Sequence, residues 1–235
     1  MRSSSAREWS TVLDAIEKDL LTGKVQPGDR LPPDRVLAST LRVRRSSVRE
    51  ALRVLEALGL ARTQTGPESG AIIVASPSGG MGALMRLQVA AQGFRVNDIV
   101  RTRLLLEGAV AKDLAEHSDD IDLGPLTQLL DAMEDPRLSQ LEFLALNAQF
   151  HLTLADASGN QVLTAVMAGL RKSLEADVLV GADDLADWAS TADRLRREHR
   201  EIVLTIIAGD GARAATLIQD HISGYYNETH LIRSA

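Results

Sequence analysis

The sequence predicts a mainly α-helical chain: an N-terminal winged helix-turn-helix followed by an all-helical bundle of about seven helices. Three observations carry this. Hydrophobic residues make up 45% of the 235 residues but aromatics only 3%. The core is therefore Leu, Ala, Ile and Val, which suits packed helices better than a β-sandwich. Near the N-terminus, two short β-prone runs, LARTQ and AIIVAS, flank the turn sequence TGPESG and read as a hairpin. Beyond residue 82 apolar residues recur at helical spacing to the end of the chain.

The elements follow in order. Trp9, Val12, Leu13, Ile16, Leu20 and Leu21 share one helical face, giving a first helix from about Arg7 to Thr22, which Gly23 and Pro27-Gly28 stop. A second helix runs from about Pro33 to Leu41, its prolines where a first turn tolerates them. A third runs from about Arg45 to Leu58, with Val48, Leu52, Leu55 and Leu58 inward, and Gly59 ends it. With the hairpin, this is the order of a winged helix-turn-helix. SPSGGMG has linker composition. The domains are then 1–75, a linker at 76–82, and 83–235. Helices in the last part are predicted near 81–92, 97–117, 123–133, 138–158, 161–180, 184–208 and 211–231, and short connections make them a bundle.

Charge divides the same way. The net charge is −6, yet residues 1–76 carry +3 and the remainder −9. A basic head on an acidic body points to nucleic acid at one end only. Cysteine is absent, which excludes disulfides, thiolate metal sites and cysteine nucleophiles. The polar start MRSSSAREWS has no apolar stretch of a secretory signal, and no run of about 18 apolar residues suggests a membrane span, so a cytoplasmic protein is expected.

From Arg30 to Arg62 there are 8 basic residues against 3 acidic. Arg45, Arg49 and Arg53 lie four apart on one helix face, and Ser46 and Ser47 occupy its first turn, where hydroxyls and free N–H groups can meet phosphate. Arginine can bridge guanine O6 and N7. Arg35, at the start of the preceding helix, is placed to reach the backbone or the groove edge. The plainer reading is a solvated helix face; the position just after a turn favours DNA binding.

This region resembles the GntR family of bacterial transcription regulators. The resemblance rests on Pro27-Gly28-Asp29, on Leu31-Pro32-Pro33-Asp34-Arg35-Val36-Leu37-Ala38, on Val43-Arg44-Arg45-Ser46-Ser47-Val48-Arg49-Glu50-Ala51-Leu52, and on Leu55-Glu56-Ala57-Leu58-Gly59-Leu60. It implies that Arg35, Arg45 and Arg49 contact DNA and that a wing tip at Thr65-Gly66 enters the minor groove. Arg44 stands where the family has serine, which removes an N-cap hydroxyl and adds charge beside the groove.

In the body, His151 follows Asn147 by four residues on one helix face, while His199 and His221 lie on two later helices. Three such helices can bring their side chains to one point inside a bundle. His117 and His230 read as ordinary histidines. The stretches Asn147-Ala148-Gln149-Phe150-His151, Ser158-Gly159-Asn160, Glu198-His199-Arg200-Glu201-Ile202, Gly209-Asp210 and His221 resemble the FadR-type effector domain, or FCD domain, of the same family. Its metal-binding members have one aspartate and three histidines at these positions. The resemblance implies a divalent transition metal, such as zinc, nickel or manganese, on Asn147, His151, His199 and His221. Asparagine in place of aspartate leaves the site about one unit more positive and favours an anionic effector. The alternative is a polar pocket in which the histidines bind a carboxylate directly. Arg103, four before Glu107, resembles the family's Arg-x-x-Leu-Glu opening and implies a guanidinium fork for an effector carboxylate; the alternative is an i,i+4 surface ion pair with Glu107. Asn160 reads as a helix cap.

The expectation is a dimeric regulator on an inverted repeat of double-stranded DNA. It is a repressor released when a small organic acid binds the body. Two rivals are a metal-dependent enzyme with an appended DNA-binding head and a constitutive architectural DNA binder. The first lacks a convincing general base; the second would show an apolar bundle without a cavity.

Overall fold

The computed structural model describes residues 3–64, 70–74, 77–183, 185 and 187–229. The chain divides into two compact units, Met1–Met81 and Gly82–Ala235.

In the first unit, α1 (Ser3–Leu21), α2 (Asp34–Leu41) and α3 (Arg45–Ala57) precede an antiparallel pair, β1 (Ala61–Gln64) and β2 (Gly70–Ile73). Val12 and Ile16 from α1 meet Val48, Ala51, Leu52 and Leu55 from α3, with Ala61, Ala71 and Ile73 from the strands. This is the face that the heptad-like spacing of α3 predicts. The turn between α2 and α3 is made by Arg42, which adopts the left-handed conformation at φ 55°, while Val43 N–H donates to the Ala38 carbonyl at 3.0 Å. Gly59 ends α3 at φ 71°; Leu60 N–H reaches back to the Leu55 carbonyl at 2.8 Å, a closure that needs a residue free to take positive φ. The strand register runs from Ala61 opposite Ile73 to Gln64 opposite Gly70. Arg30 adds a single bridge to Ile72, a third edge that the sequence reading did not include. The expected wing tip, Thr65-Gly66, lies outside the described residues.

The helices expected from the apolar periodicity make up the second unit, except that the first of them starts at Pro77, among the last residues of the first unit. Helix α4 (Pro77–Ala90) begins inside the stretch whose Gly and Ser content reads as linker, with its proline in the first helical turn, where a missing N–H costs nothing. It is followed by α5 (Val96–Glu116), a short 3₁₀ turn (Ser118–Asp120), α6 (Gly124–Met133), α7 (Gln140–Ala157), α8 (Gln161–Asp183), α9 (Trp188–Ile207) and α10 (Gly211–Glu228). The helix starts have visible causes. Ser139 and Glu142 form a reciprocal capping box at α7. Asn160 Oδ1 accepts from Val162 and Leu163 N–H at 3.1 Å each, capping α8 as the sequence suggested. Asp187 and Asp210 cap α9 and α10.

One contiguous core runs through this unit, including Leu114, Phe143, Phe150, Leu195, Ile202 and Ile218. Each fully buried aliphatic or aromatic side chain contributes about 1.5–3 kcal/mol, so packing rather than polar contacts holds the bundle. Gln219 Nε2 donates across to the Leu104 carbonyl at 3.2 Å, tying α10 to α5. Gly108 leaves the room for that side chain, since a Cβ there would lie 2.5 Å from Gln219 Nε2. Among the described residues no helix is long and apolar enough to cross a membrane.

Candidate functional site

In the first unit α3 presents Arg45, Ser46 and Arg49 to solvent, and α2 presents Arg35. Arg35 and Arg45 have no ion-pair partner among the described residues. Arg49 Nε donates to Asp34 Oδ2 at 2.9 Å, with the arginine side chain 60% exposed; this pair is easily exchanged for a phosphate or base.

Arg44 and Ser47 are arranged otherwise. Glu8, on α1, places one carboxylate oxygen, Oε2, against Arg44 Nε at 2.9 Å, Arg44 N–H at 3.2 Å and Ser47 Oγ at 2.8 Å. Hydrogen bonds from Arg44 and Ser47 hold the Glu8 carboxyl down to about 2. The carboxylate thus caps α3 from a neighbouring helix, replacing the N-cap hydroxyl that Arg44 lacks. Ser47 is buried. Its expected role at phosphate is corrected: its hydroxyl donates inward, and the exposed hydroxyl of the first turn is Ser46.

In the second unit His151, His199 and His221 converge. One ring nitrogen from each lies within 4.8 Å of the others, and Nε2 of His199 is 3.1 Å from Nε2 of His221. All three rings are buried. Burial, only partly opposed by Glu107, pushes His151 down to about 3. Burial followed by the neighbouring rings pushes His199 well below its usual value. Both are therefore neutral imidazoles. His151 Nδ1–H donates to Glu107 Oε2 at 2.5 Å, and His221 Nδ1–H donates to Glu198 Oε2 at 2.8 Å. Each carboxylate fixes the tautomer and leaves Nε2 as an acceptor, which in His221 faces His199 Nε2.

The sequence reading missed both carboxylate partners. Glu198 enters the sequence reading only within the stretch Glu198-His199-Arg200-Glu201-Ile202, and Glu107 only as a partner of Arg103. The available signal was position: Glu107 shares a face with Arg103, and Glu198 precedes His199 on the turn that faces α10.

Arg103 is an i,i+4 partner of Glu107, as the alternative held, but the pair is buried rather than superficial. Its Nε lies 2.8 Å from Glu107 Oε1, with side-chain exposures of 6% and 3%. Its Nη1 donates to Tyr226 Oη at 2.6 Å. Burial alone would raise the Glu107 carboxyl, but the Arg103 guanidinium and then His151 hold it down to about 2. The result is a chain, Tyr226–Arg103–Glu107–His151, running from α10 through α5 to α7.

Beside the histidines is a cavity of about 220 Å³ bounded by α5, α7, α8 and α10, with Arg103, Asn147, His151, Arg171 and Tyr225 among its lining. Asn147 Oδ1 is buried and has no hydrogen-bond partner. It lies one helical turn before His151. The donor set suits a metal ion: three buried imidazoles, two of them oriented by carboxylates as metal-bound histidines usually are, and an orphaned amide oxygen. The His199–His221 spacing of 3.1 Å falls between the roughly 3.0 Å octahedral and 3.4 Å tetrahedral edge of two nitrogens that each sit about 2.1 Å from one ion. His117 is exposed and bonded to the Asp113 carbonyl, away from this cluster. His230 lies outside the described residues.

A winged helix-turn-helix with an exposed arginine face, carried with a helical bundle that encloses a histidine cluster, defines a class of bacterial DNA-binding regulators. The chain belongs to the gntR family of bacterial regulatory proteins: residues 9–68 match that family, and residues 98–224 match the FCD domain. It is 31% identical over 219 residues to the HTH-type transcriptional regulator LutR of Bacillus subtilis, covering 88% of this chain and 97% of that one. It is 26% identical to the Glc operon transcriptional activator of Escherichia coli K12, covering 95% and 92%, and 27% identical to the transcriptional repressor NanR of Edwardsiella tarda, covering 94% and 85%. In three dimensions it is similar to a GntR protein of Streptococcus agalactiae, with a TM-score of 0.61 at 24% identity over 92% of this chain and 98% of that one.

Proposed function

We propose that this protein is a metabolite-responsive repressor, released from its operator when a small organic acid enters the cavity of the helical unit. One observation carries the reading: a buried cluster of three histidines borders a cavity that also holds arginine side chains. An apolar bundle with a purely structural role has no use for such a cluster, because burying polar groups is costly.

The residues divide the work. Arg35, Arg45, Ser46 and Arg49 meet DNA, Arg45 and Arg49 at base edges and the others at phosphate. Arg44 adds charge beside the groove while Glu8 holds it. Thr65 and Gly66, outside the described residues, are assigned to the minor groove by the family resemblance alone. The protein binds as a homodimer, one α3 in each of two successive major grooves of an inverted repeat. His151, His199 and His221, with Asn147, hold a divalent transition metal such as zinc, nickel or manganese. When bound, that ion supplies positive charge at one wall of the cavity, which favours an anionic occupant. Arg103 keeps Glu107 ionised and in place, and through it orients His151. Acid binding weakens operator binding only if the acid prefers the DNA-free state.

Gel-shift titrations of the full-length protein on promoter fragments from its own locus test this. Specific binding that weakens with at least one acid of a panel is expected. Equal affinity for random duplex, or no effect of any acid, overturns the proposal.

A further inference from the structure

We propose that Arg171 is the primary anchor of the effector's carboxylate, and that the effector is an acid whose apolar chain extends from it along the groove between α7 and α8. This rests on the acid-binding reading above and specifies the acid's class.

The argument begins with which donors are already engaged. Arg103 is satisfied by Glu107 and Tyr226. Arg171 is not: its Nη1 is shut off from solvent and has no hydrogen-bond partner, and no carboxylate pairs with it among the described residues. Burial, followed by repulsion from Arg103, draws its guanidinium down to about 10. Tyr225 is the second unmet donor on this cavity, its hydroxyl also buried and unpartnered; burial raises its pKa and keeps the proton on. A guanidinium and a neutral hydroxyl, both donors and both without acceptors, are what a carboxylate satisfies. Asn147 Oδ1, the third orphan, is an acceptor and suits a cation instead.

The tail follows from helix register. Helices α7 and α8 are joined by residues 158–160 and run antiparallel, and at their far ends Gln140 Nε2 donates to the Ala182 carbonyl at 2.8 Å. In this register Arg171 is level with His151, and Val178 is level with Leu144 and Leu141. His151 and Leu141 are ten positions apart, about 15 Å of helix. The cavity lining therefore passes from polar to apolar along that length, ending on Leu141, Leu144, Val178 and Leu179. Lys172 and Glu175 also line it, but they pair with each other and so leave no net charge for the tail. The volume of about 220 Å³ is about seven times one water's share of the liquid, more than a two-carbon acid fills.

The test is calorimetric titration of the full-length zinc-loaded protein with acetate, butanoate, hexanoate, octanoate and hexan-1-ol. Affinity should rise about fourfold per methylene from acetate to hexanoate, and hexanol should bind at least tenfold more weakly than hexanoate. Arg171→Gln should bring hexanoate to within about threefold of hexanol, while Arg171→Lys keeps most of the gap. Zinc stoichiometry and melting temperature, unchanged in both variants, show that the fold and the histidine cluster persist. An affinity independent of chain length overturns the tail assignment, and hexanoate binding to Arg171→Gln as to the parent overturns the anchor. If hydroxy acids such as glycolate bind while straight-chain acids show no length dependence, only this inference fails. If no acid of either kind binds, the acid-sensing reading fails with it.

Discussion

Glu107 Oε2 sits 2.5 Å from Nδ1 of His151, with both side chains buried. Arg103 holds the other oxygen of the same carboxylate, so one acid both balances a buried cation and sets the face that His151 presents. Glu107→Gln keeps the shape and removes the charge. Metal affinity should fall about 10–100-fold, as for loss of a carboxylate behind a histidine ligand, measured by competition with a chelating dye. Arg103 would be left as a buried unpaired cation, and unfolding in urea should show a loss of about 3–5 kcal/mol. Unchanged metal affinity would mean that His151 is oriented by packing alone.

Asn147 should limit the charge of the cluster. Its Oδ1 has no partner among the described residues, and an aspartate of the same shape would bring a negative charge to this end of the cluster. Asn147→Asp should tighten divalent metal binding roughly tenfold and weaken the binding of carboxylates in the adjoining cavity. Paired titrations of metal and of a bound acid check both. An aspartate that alters neither places Asn147 outside the site.

The helices were legible because their cause is local. Apolar spacing, the Ser139–Glu142 capping box and the glycines at 59, 159 and 209 all act within a few residues. Asn160 was legible as a cap for the same reason. What joins the site together is not local. Glu8 reaches Arg44 and Ser47 across 36 and 39 residues of chain, and no pattern within α3 reveals that Ser47 turns inward. Glu107 meets His151 across 44 residues. Arg171 left a faint trace: it lies on the same helical stripe as Met167, Leu174 and Val178, an arginine where the period calls for an apolar residue.

The Glu8 carboxylate predicts a pH dependence for the first unit. Arg44 and Ser47 lower its folded-state value from 4.5 to about 2. The unfolded state therefore binds the proton more readily, and stability falls wherever it does so. The contribution is fully present above about pH 4.5 and is lost as pH falls toward 2. Glu8→Gln cannot titrate, so its melting temperature should be lower than the parent's at pH 6, and the gap should narrow between pH 4.5 and 2. A gap that stays constant with pH would mean that the glutamate acts through shape rather than charge.

The arginines of α2 and α3 should separate by salt dependence. Arg45 has no acidic partner among the described residues, and Arg49 must leave Asp34 to reach a base. Replacing Arg45 by alanine should cost about 1–3 kcal/mol on the operator and relax the preference at one base position. Arg49→Ala should cost less, since breaking an exposed pair first consumes up to about 1 kcal/mol of the gain. Arg35, if it meets phosphate, should weaken operator and random duplex alike when replaced, and should lower the salt slope by about one. Binding isotherms across a series of salt concentrations on operator and scrambled fragments distinguish the three. An Arg45→Ala protein that loses operator and random duplex equally would show that α3 positions the protein without reading the bases.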